Sequence, residues 1–274
     1  RGKLASIYGR DAAVNDYYVE LMNFWGLIND KYESDVKTEI KLLCEGYAAG
    51  INKYLKDNPE KRTKSFEDVL AEDVIAGFSH RMPLMFGLDG LLKKLSKKKI
   101  PESFGENTDI QEGSFDMTAS NVMAIAPQRS SDGYTRLWLN THQPWEGPVA
   151  WYEAHLESKE GWDFYGALFP GSPVPLIGHN KNLGWSHTVN SPDLIDVYKL
   201  TINKQNENQY WFEGYWKDFD VRTADIKVKI IGPFSWTFKR EVKTSIHGPV
   251  LDFSHGTYSL RISSIKNLRF IEQW

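Results

Sequence analysis

The sequence predicts an α+β fold, because helical periodicity fills its first third and strand-like alternation fills the residues from 120 onward. Apolar residues recur at steps of three and four in the first third, and alternate with polar residues later. Between these regions lies a polar, glycine-containing stretch with little periodicity of either kind. We therefore predict a helical part over 1–96, a spacer over 97–119 and a strand-rich part over 120–274.

Composition narrows the possible classes of protein. The 274 residues are 41% hydrophobic, which is enough for one large domain or two smaller ones. A formal net charge of −3 gives no electrostatic reason to expect a nucleic acid partner. No apolar run approaches the roughly 18 residues of a membrane span. The chain begins without methionine and stops within a segment predicted to be structured, so we expect a fragment of a longer precursor.

The first helical region is predicted over residues 11–57. Ser34 or Asp35 is expected to cap its long amphipathic helix, and Asn58-Pro59 to end it. The single cysteine, Cys44, is predicted to be buried there, and it excludes an internal disulfide or a Cys-rich metal site. The helix has one predicted apolar face, formed by Val36, Ile40, Leu43, Tyr47, Ile51 and Tyr54.

Two further helices are predicted before the spacer. One follows Ser65, with Asp68 as its capping partner and Pro83 as a kink or end. The other covers 88–95 and runs into Lys97-Lys98-Lys99, a lysine run typical of a solvated helix end.

The strand-rich part opens with Ser120, and the small and apolar residues up to Pro127 predict a strand buried on both faces. A spacer running into a strand that opens with Ser-Asn is expected if the chain is cut between Ala119 and Ser120. On this stretch alone, a surface loop entering a core strand is the better interpretation. Further strands are predicted over 134–139, 151–156, 162–168, 226–230 and 236–242. We expect the tryptophans of this part to lie in the core, namely Trp138, Trp145, Trp151, Trp162 and Trp185.

Six short motifs follow Ser120-Asn121 in order. They are Asn140-Thr141-His142-Gln143-Pro144-Trp145, Trp151-Tyr152-Glu153-Ala154-His155-Leu156, Phe169-Pro170-Gly171-Ser172-Pro173, Gly178-His179-Asn180, Gly184-Trp185-Ser186-His187-Thr188-Val189 and Asp193-Leu194-Ile195-Asp196. Together they resemble the penicillin acylase family of N-terminal-nucleophile hydrolases, and within it the acyl-homoserine-lactone and aculeacin-type acylases. The resemblance is strong over 120–200 and loose in the helical third, where residues 45–52 are similar to a light-chain segment.

The resemblance implies a four-layer αββα fold, incomplete in this fragment, and a precursor that cuts itself before Ser120. The freed amine would act as base for the Ser120 hydroxyl, since an α-amino pKa of about 7.7–8.0 leaves much of it neutral near pH 7.5. Ala119 stands where the family usually has glycine. His142 would support the amine, and the backbone N–H of Val189 would form half of the oxyanion hole. The other half, an asparagine, would lie downstream of this chain.

The remaining implied sites are a pocket and a cation site. Gln143 and Trp151 fall where acyl-pocket residues lie in the acylases. Asp193, the carbonyl of Ile195 and Asp196 match structural calcium ligands, with Asp89 a weaker contributor, although a turn or strand cap explains these residues equally well. No organic cofactor is implied. His155, His179 and His187 are expected to be hydrogen-bonded scaffold residues.

The implied function is hydrolysis of a small N-acyl amide by a heterodimer of light and heavy chains, periplasmic or secreted. Acyl-homoserine lactones, lipopeptides and β-lactams all remain open as substrates. An aromatic-rich, glycan-binding module without catalysis is the alternative. A conventional Ser-His-Asp hydrolase is disfavoured, because the sequence contains no Gly-x-Ser-x-Gly elbow.

Overall fold

The computed structural model describes residues 1–63, 66–97, 120–147, 149–188 and 193–273. They form two compact units. The first contains the described residues within 1–83, 92–100 and 193–273, and the second those within 84–91 and 101–192. Helices precede strands along the chain, so the α+β prediction is confirmed. Residues 98–119, nearly all of the predicted spacer, lie outside the described part.

The helices of the described residues lie in the first third. They are α1 (Ala5–Tyr8), α2 (Ala13–Met22), α3 (Phe24–Asp35), α4 (Thr38–Asp57), α5 (Ala71–Met85) and α6 (Leu88–Ser96). Short 3₁₀ turns cover Arg10–Ala12, Pro59–Lys61, Pro127–Arg129, Ser263–Ile265 and Arg269–Gln273.

Helix boundaries differ from the predicted ones in two places. The region 11–57 is divided by Asn23, whose φ of 53° interrupts the backbone between α2 and α3. Ser34 and Asp35 therefore end α3 and do not cap α4, whose N-cap position is Lys37. Helix α5 begins at Ala71, later than predicted, and its Asp73 side chain accepts the N–H of Leu70 (2.8 Å).

Fewer residues of α4 are buried than its predicted apolar face contains. Cys44 and Ala48 are its buried residues, as predicted for Cys44, whereas Tyr54 is 54% exposed. Ile40, Leu43, Tyr47 and Ile51 of the predicted face are half-buried.

The strands follow from residue 120. They are β1 (Ser120–Ile125), β2 (Arg136–Thr141), β3 (Tyr152–Glu157), β4 (Asp163–Leu168), β5 (Ile177–His179), β6 (Gly184–Trp185), β7 (Ile195–Leu200), β8 (Ile202–Asn203), β9 (Asn206–Phe212), β10 (Tyr215–Asp218), β11 (Asp220–Ile231), β12 (Phe234–Thr244), β13 (Val250–Phe253) and β14 (Gly256–Ile262). The strand pairs in the described residues are antiparallel.

The first unit joins helices to the sheets formed after residue 193. Helices α1 and α2 cover β11, where Ala5, Ile226 and Val228 form a buried cluster. The fully buried carboxylate of Asp16 accepts the N–H groups of Leu4 and Ala5 at 2.9 and 2.7 Å, which satisfies donors at the start of α1.

The second unit contains the β1–β2 hairpin and the sheet β3-β4-β5-β6. Phe164 of β4 is buried and packs against Trp185 of β6, with ring centroids 4.4 Å apart. Gly184 of β6 faces β2 so closely that a Cβ there would lie 2.7 Å from Leu137 Cδ2. The absence of a side chain at Gly184 thus lets the hairpin that begins with Ser120 lie against the four-stranded sheet.

Two predictions of burial are wrong. Strand β1 is not buried on both faces, since Val122 and Met123 are 38% and 53% exposed. Only its end residues, Ser120 and Ile125, are half-buried, and the four residues between them are exposed. Among the tryptophans, Trp138, Trp145 and Trp162 are exposed, and Trp145 is 99% exposed.

Candidate active site

The turn before β2 fixes the register of the β1–β2 hairpin. The Asp132 carboxylate accepts the hydroxyl of Ser130 (2.6 Å) and the N–H of Tyr134 (3.2 Å), and it pairs with Arg136. These contacts hold the pKa of Asp132 below its usual value, with the Ser130 hydrogen bond contributing most. Gly133 supplies the positive φ, 75°, that this turn requires.

That register places Ser120 beside the residues that follow β2. Ser120 pairs with Thr141, and Asn121 pairs with Asn140. His142 is therefore one residue beyond the partner of Ser120, although 22 residues separate the two in sequence. Both Ser120 and His142 are half-buried. Ala119, the other side of the predicted cleavage site, lies outside the described residues.

The ring of His142 is held by Asn140, which lies two residues earlier, near the end of β2. Asn140 Nδ2 lies 3.0 Å from His142 Nε2. With the carboxamide as donor, the neutral imidazole carries its proton on Nδ1. Alternation along β2 puts the side chains of Asn140 and His142 on one face of the hairpin and those of Thr141 and Ser120 on the other.

The predicted pocket residues lie in the same unit. Gln143 directly follows His142 and is half-buried. Trp151 stacks on the buried ring of Phe169, with centroids 4.3 Å apart and planes at 21°. The turn after Phe169 is closed by Ser172, whose N–H donates to the Phe169 carbonyl (2.8 Å) and whose hydroxyl donates to the Val174 carbonyl (2.7 Å).

Two buried polar atoms near these segments have no hydrogen-bond partner within the described part of the chain. They are the indole Nε1 of Trp151 and the hydroxyl of Ser186. Because burying an unpaired donor costs free energy, such atoms indicate places where a ligand or further protein groups can bind.

The three other histidines of the motifs lie at the surface. His155 contacts Asp163 (2.7 Å), as expected of a scaffold residue, and His179 packs beside the ring of Tyr165 at 5.9 Å. His187 is exposed. Val189 lies outside the described residues.

The predicted cation ligands belong to the first unit. Asp193 precedes β7 and Asp196 lies within it, both with exposed side chains, and Ile195 pairs with Ile262 of β14. Asp89 belongs to the second unit and is half-buried. The described residues contain no group of three or more His, Cys, Asp or Glu side chains arranged to hold a metal ion. In donor chemistry, the two aspartates and the carbonyl fit a hard cation, but they form only part of a calcium ligand set.

A sequence profile of the penicillin amidase family matches residues 1–274. The chain belongs to the penicillin amidase family. As a family member it is 27% identical, over 97% of its length, to "Acyl-homoserine lactone acylase PvdQ" of Pseudomonas fluorescens (strain Pf0-1). It is 28% identical to "Aculeacin-A acylase" of Actinoplanes utahensis, over 57% of this chain and 20% of that protein. The chain spans 37% of the length of the PvdQ relative.

A solved structure is also similar, the thermostable penicillin G acylase from Alcaligenes faecalis. The match covers 51% of this chain and 25% of that chain, at 25% identity and a TM-score of 0.41. In this penicillin amidase family member, no helix among the described residues is long and apolar enough to cross a membrane.

Asn140 is the residue of the family's hairpin that motif reasoning did not single out as functional. Its position two residues before His142 would identify it only if the strand predicted over 134–139 were extended to residue 142, because residues i and i+2 of a strand share a face. The unpaired indole of Trp151, in contrast, has no signature in the sequence.

Proposed function

We propose that this chain carries the nucleophile of an N-acyl amide hydrolase, with Ser120 acting after cleavage of the Ala119–Ser120 bond. Family membership carries the proposal. The pairing of Ser120 with Thr141 supports it, because the hairpin brings the amino end of β1 next to His142. The four-layer αββα arrangement belongs to the same proposal.

The proposed reaction needs a free amine on Ser120. Its neutral α-amino group takes the hydroxyl proton while Oγ attacks the acyl carbonyl, and the backbone N–H of Val189 stabilises the resulting oxyanion. The C–N bond then breaks, the protonated amine group returns its proton to the leaving amine, and the acyl group stays on Oγ. Water then attacks the acyl carbonyl and gives a proton to the α-amine. The bond between the acyl carbon and Oγ breaks, the amine returns the proton to Oγ, and the acid leaves.

His142 acts in this proposal by orienting the amine. Its side chain lies on the face of the hairpin opposite to the Ser120 hydroxyl, and Asn140 holds its Nε2. This placement supports a contact between His142 and the freed amine of Ser120. It argues against direct removal of the Ser120 hydroxyl proton by His142.

The substrate is proposed to be an amide with a largely apolar acyl group. The Trp151–Phe169 stack would give the pocket an aromatic wall. The buried Trp151 N–H, which has no partner among the described residues, would donate to an oxygen of an acyl group that reaches it. Gln143, next to His142, completes the proposed pocket. Acyl-homoserine lactones, lipopeptides and β-lactams all contain such an amide.

Assembly, location and cation binding remain proposals from family membership. We propose a heterodimer of light and heavy chains from one precursor, periplasmic or secreted. Asp193, Asp196 and the Ile195 carbonyl would hold part of a structural calcium site. Chelation is then expected to lower the melting temperature of the full-length protein more than it lowers the turnover of matured enzyme, and an unchanged melting temperature would return these residues to capping roles.

The experiment that tests the function compares Ser120→Ala with Ser131→Ala, an exposed serine in the turn of the same hairpin. Intact-mass measurement should show that full-length wild type and Ser131→Ala are cleaved between Ala119 and Ser120. Both should hydrolyse an N-acyl substrate. Ser120→Ala should remain uncut and inactive. Processing of Ser120→Ala at the same bond would contradict the assignment, and uncut wild type that binds glycans would favour the binding-module alternative.

A further inference from the structure

The hairpin formed by β11 and β12 is the longest strand pair in the described residues, with 12 and 11 residues in its strands. It belongs to the first unit and turns at Gly232-Pro233. A register shift lies between Lys229 and Ile231, close to the turn. Such an irregularity increases the twist of the strands locally and gives the end of the hairpin its own orientation.

The root of this hairpin is packed and its tip is not. Alternate β11 residues Ala224, Ile226 and Val228 are 0%, 5% and 2% exposed, and α1 and α2 cover them. Beyond them the hairpin tip, defined here as residues 230–238, carries five exposed apolar side chains. These are Ile230 (59% exposed), Ile231 (72%), Phe234 (71%), Trp236 (65%) and Phe238 (48%).

The charges nearest the tip are basic. From Ile226 to Arg240 the charged residues are Lys227, Lys229, Lys239 and Arg240, all exposed. The exposed acidic residues Asp225, which pairs with Lys239 across the hairpin, and Glu241 lie just beyond them toward the root. The chain as a whole has a formal net charge of −3. The basic side chains therefore form a local collar around an apolar tip, on a chain that is slightly acidic overall.

We infer that the hairpin tip inserts into the interface of a bilayer that contains anionic lipids. Large apolar side chains, tryptophan among them, are stable at the boundary between headgroups and acyl chains. The long basic side chains reach from there to the lipid phosphates. This inference is independent of the proposed hydrolase activity, because it depends only on the hairpin in the first unit.

A lipid surface fits the tip better than a nucleic acid. Nucleic acids bind to aromatic platforms within a basic groove. Here the most exposed end of the hairpin, Ile231 and Phe234, is apolar and projects beyond the basic residues. A surface that receives an apolar tip and neutralises a basic collar has the chemistry of an anionic membrane interface.

The test measures binding of the full-length protein to vesicles of phosphatidylcholine with 30% phosphatidylglycerol (about one anionic lipid in three) and of phosphatidylcholine alone. Wild type should bind the anionic vesicles, and less tightly at high salt.

Replacing Lys227, Lys229 and Lys239 by Gln should lower the partition coefficient by about 100-fold, at about fivefold per lysine. Ile231→Asp with Phe234→Asp should abolish binding. Lys53→Gln and Trp216→Ser, exposed positions outside the hairpin, should change it by less than twofold.

A probe on the tip separates insertion from adsorption. Cys44, the one cysteine of these 274 residues, is buried, so labelling of Ile231→Cys by a thiol-reactive, environment-sensitive dye is compared with that of wild type. The emission of the dye should shift to the blue on addition of anionic vesicles. Four results would each overturn the inference. They are no vesicle binding by wild type, vesicle binding by the tip variant equal to that of wild type, tighter binding of wild type to a single-stranded oligonucleotide than to vesicles, and an Ile231→Cys thiol that is inaccessible in the folded protein.

Discussion

Replacing Asn140 should reduce turnover through His142 alone. The Asn140–His142 hydrogen bond joins two half-buried side chains at 3.0 Å. Such a bond contributes about 1 kcal/mol, and its loss leaves the ring in place but less firmly oriented. Asn140→Ala should therefore lower kcat about fivefold with KM unchanged, whereas His142→Ala should lower kcat about 100- to 10,000-fold.

The assay measures steady-state release of the amine from an N-acyl substrate by the full-length variants. Intact-mass measurement first verifies that each variant has been processed. Asn121→Ala is the matched control, because Asn121 is the cross-strand partner of Asn140 and has an exposed side chain. It should keep kcat within twofold.

The decisive measurement is the double variant. If Asn140 acts only by orienting His142, then adding Asn140→Ala to His142→Ala should cause no further loss. A fivefold loss in that background as well would show that Asn140 acts elsewhere, and the orientation argument would fail.

Three other predictions concern the oxyanion donor, a buried histidine and a glycine pair. Val189→Ala should reduce hydrolysis little and Val189→Pro, which removes the N–H, by about 100-fold or more; equal losses would indicate packing instead. Burial lowers the pKa of His80 from 6.5 to about 4, so the unfolded chain holds a proton that the folded chain lacks between these values. The free energy of unfolding should fall by up to about 3 kcal/mol as pH drops through that window, and urea titrations of His80→Gln should show a flatter dependence. Gly178 has φ of +144° and a Cβ there would lie 2.2 Å from the Tyr165 carbonyl oxygen, so Gly178→Ala should lower the free energy of unfolding by about 2 kcal/mol or more. Gly50→Ala, in open space on α4, should raise the melting temperature instead, and a similar effect of both would contradict the steric argument.

The sequence alone determined the element types and most of their order. Periodicity is a local property, so the helices up to residue 96 and the strands after 120 can be predicted from side-chain spacing. The alternation in β11 agrees with the burial of Ile226 and Val228, whereas Ile230, the third apolar residue of the same pattern, is 59% exposed. The motifs after Ser120 were specific enough to indicate the family that the profile match confirms.

What covers each element was decided only by tertiary structure. Nothing in the apolar run of β1 shows that the residues between Ser120 and Ile125 are exposed, because burial depends on what packs against the strand. Residues 193–273 belong to the same compact unit as 1–83, a grouping that depends on long-range contacts. The neighbourhood of Ser120 and His142 likewise depends on strand register. Register joins residues distant in sequence, and spacing along the chain does not encode it where a turn of unknown geometry lies between two strands.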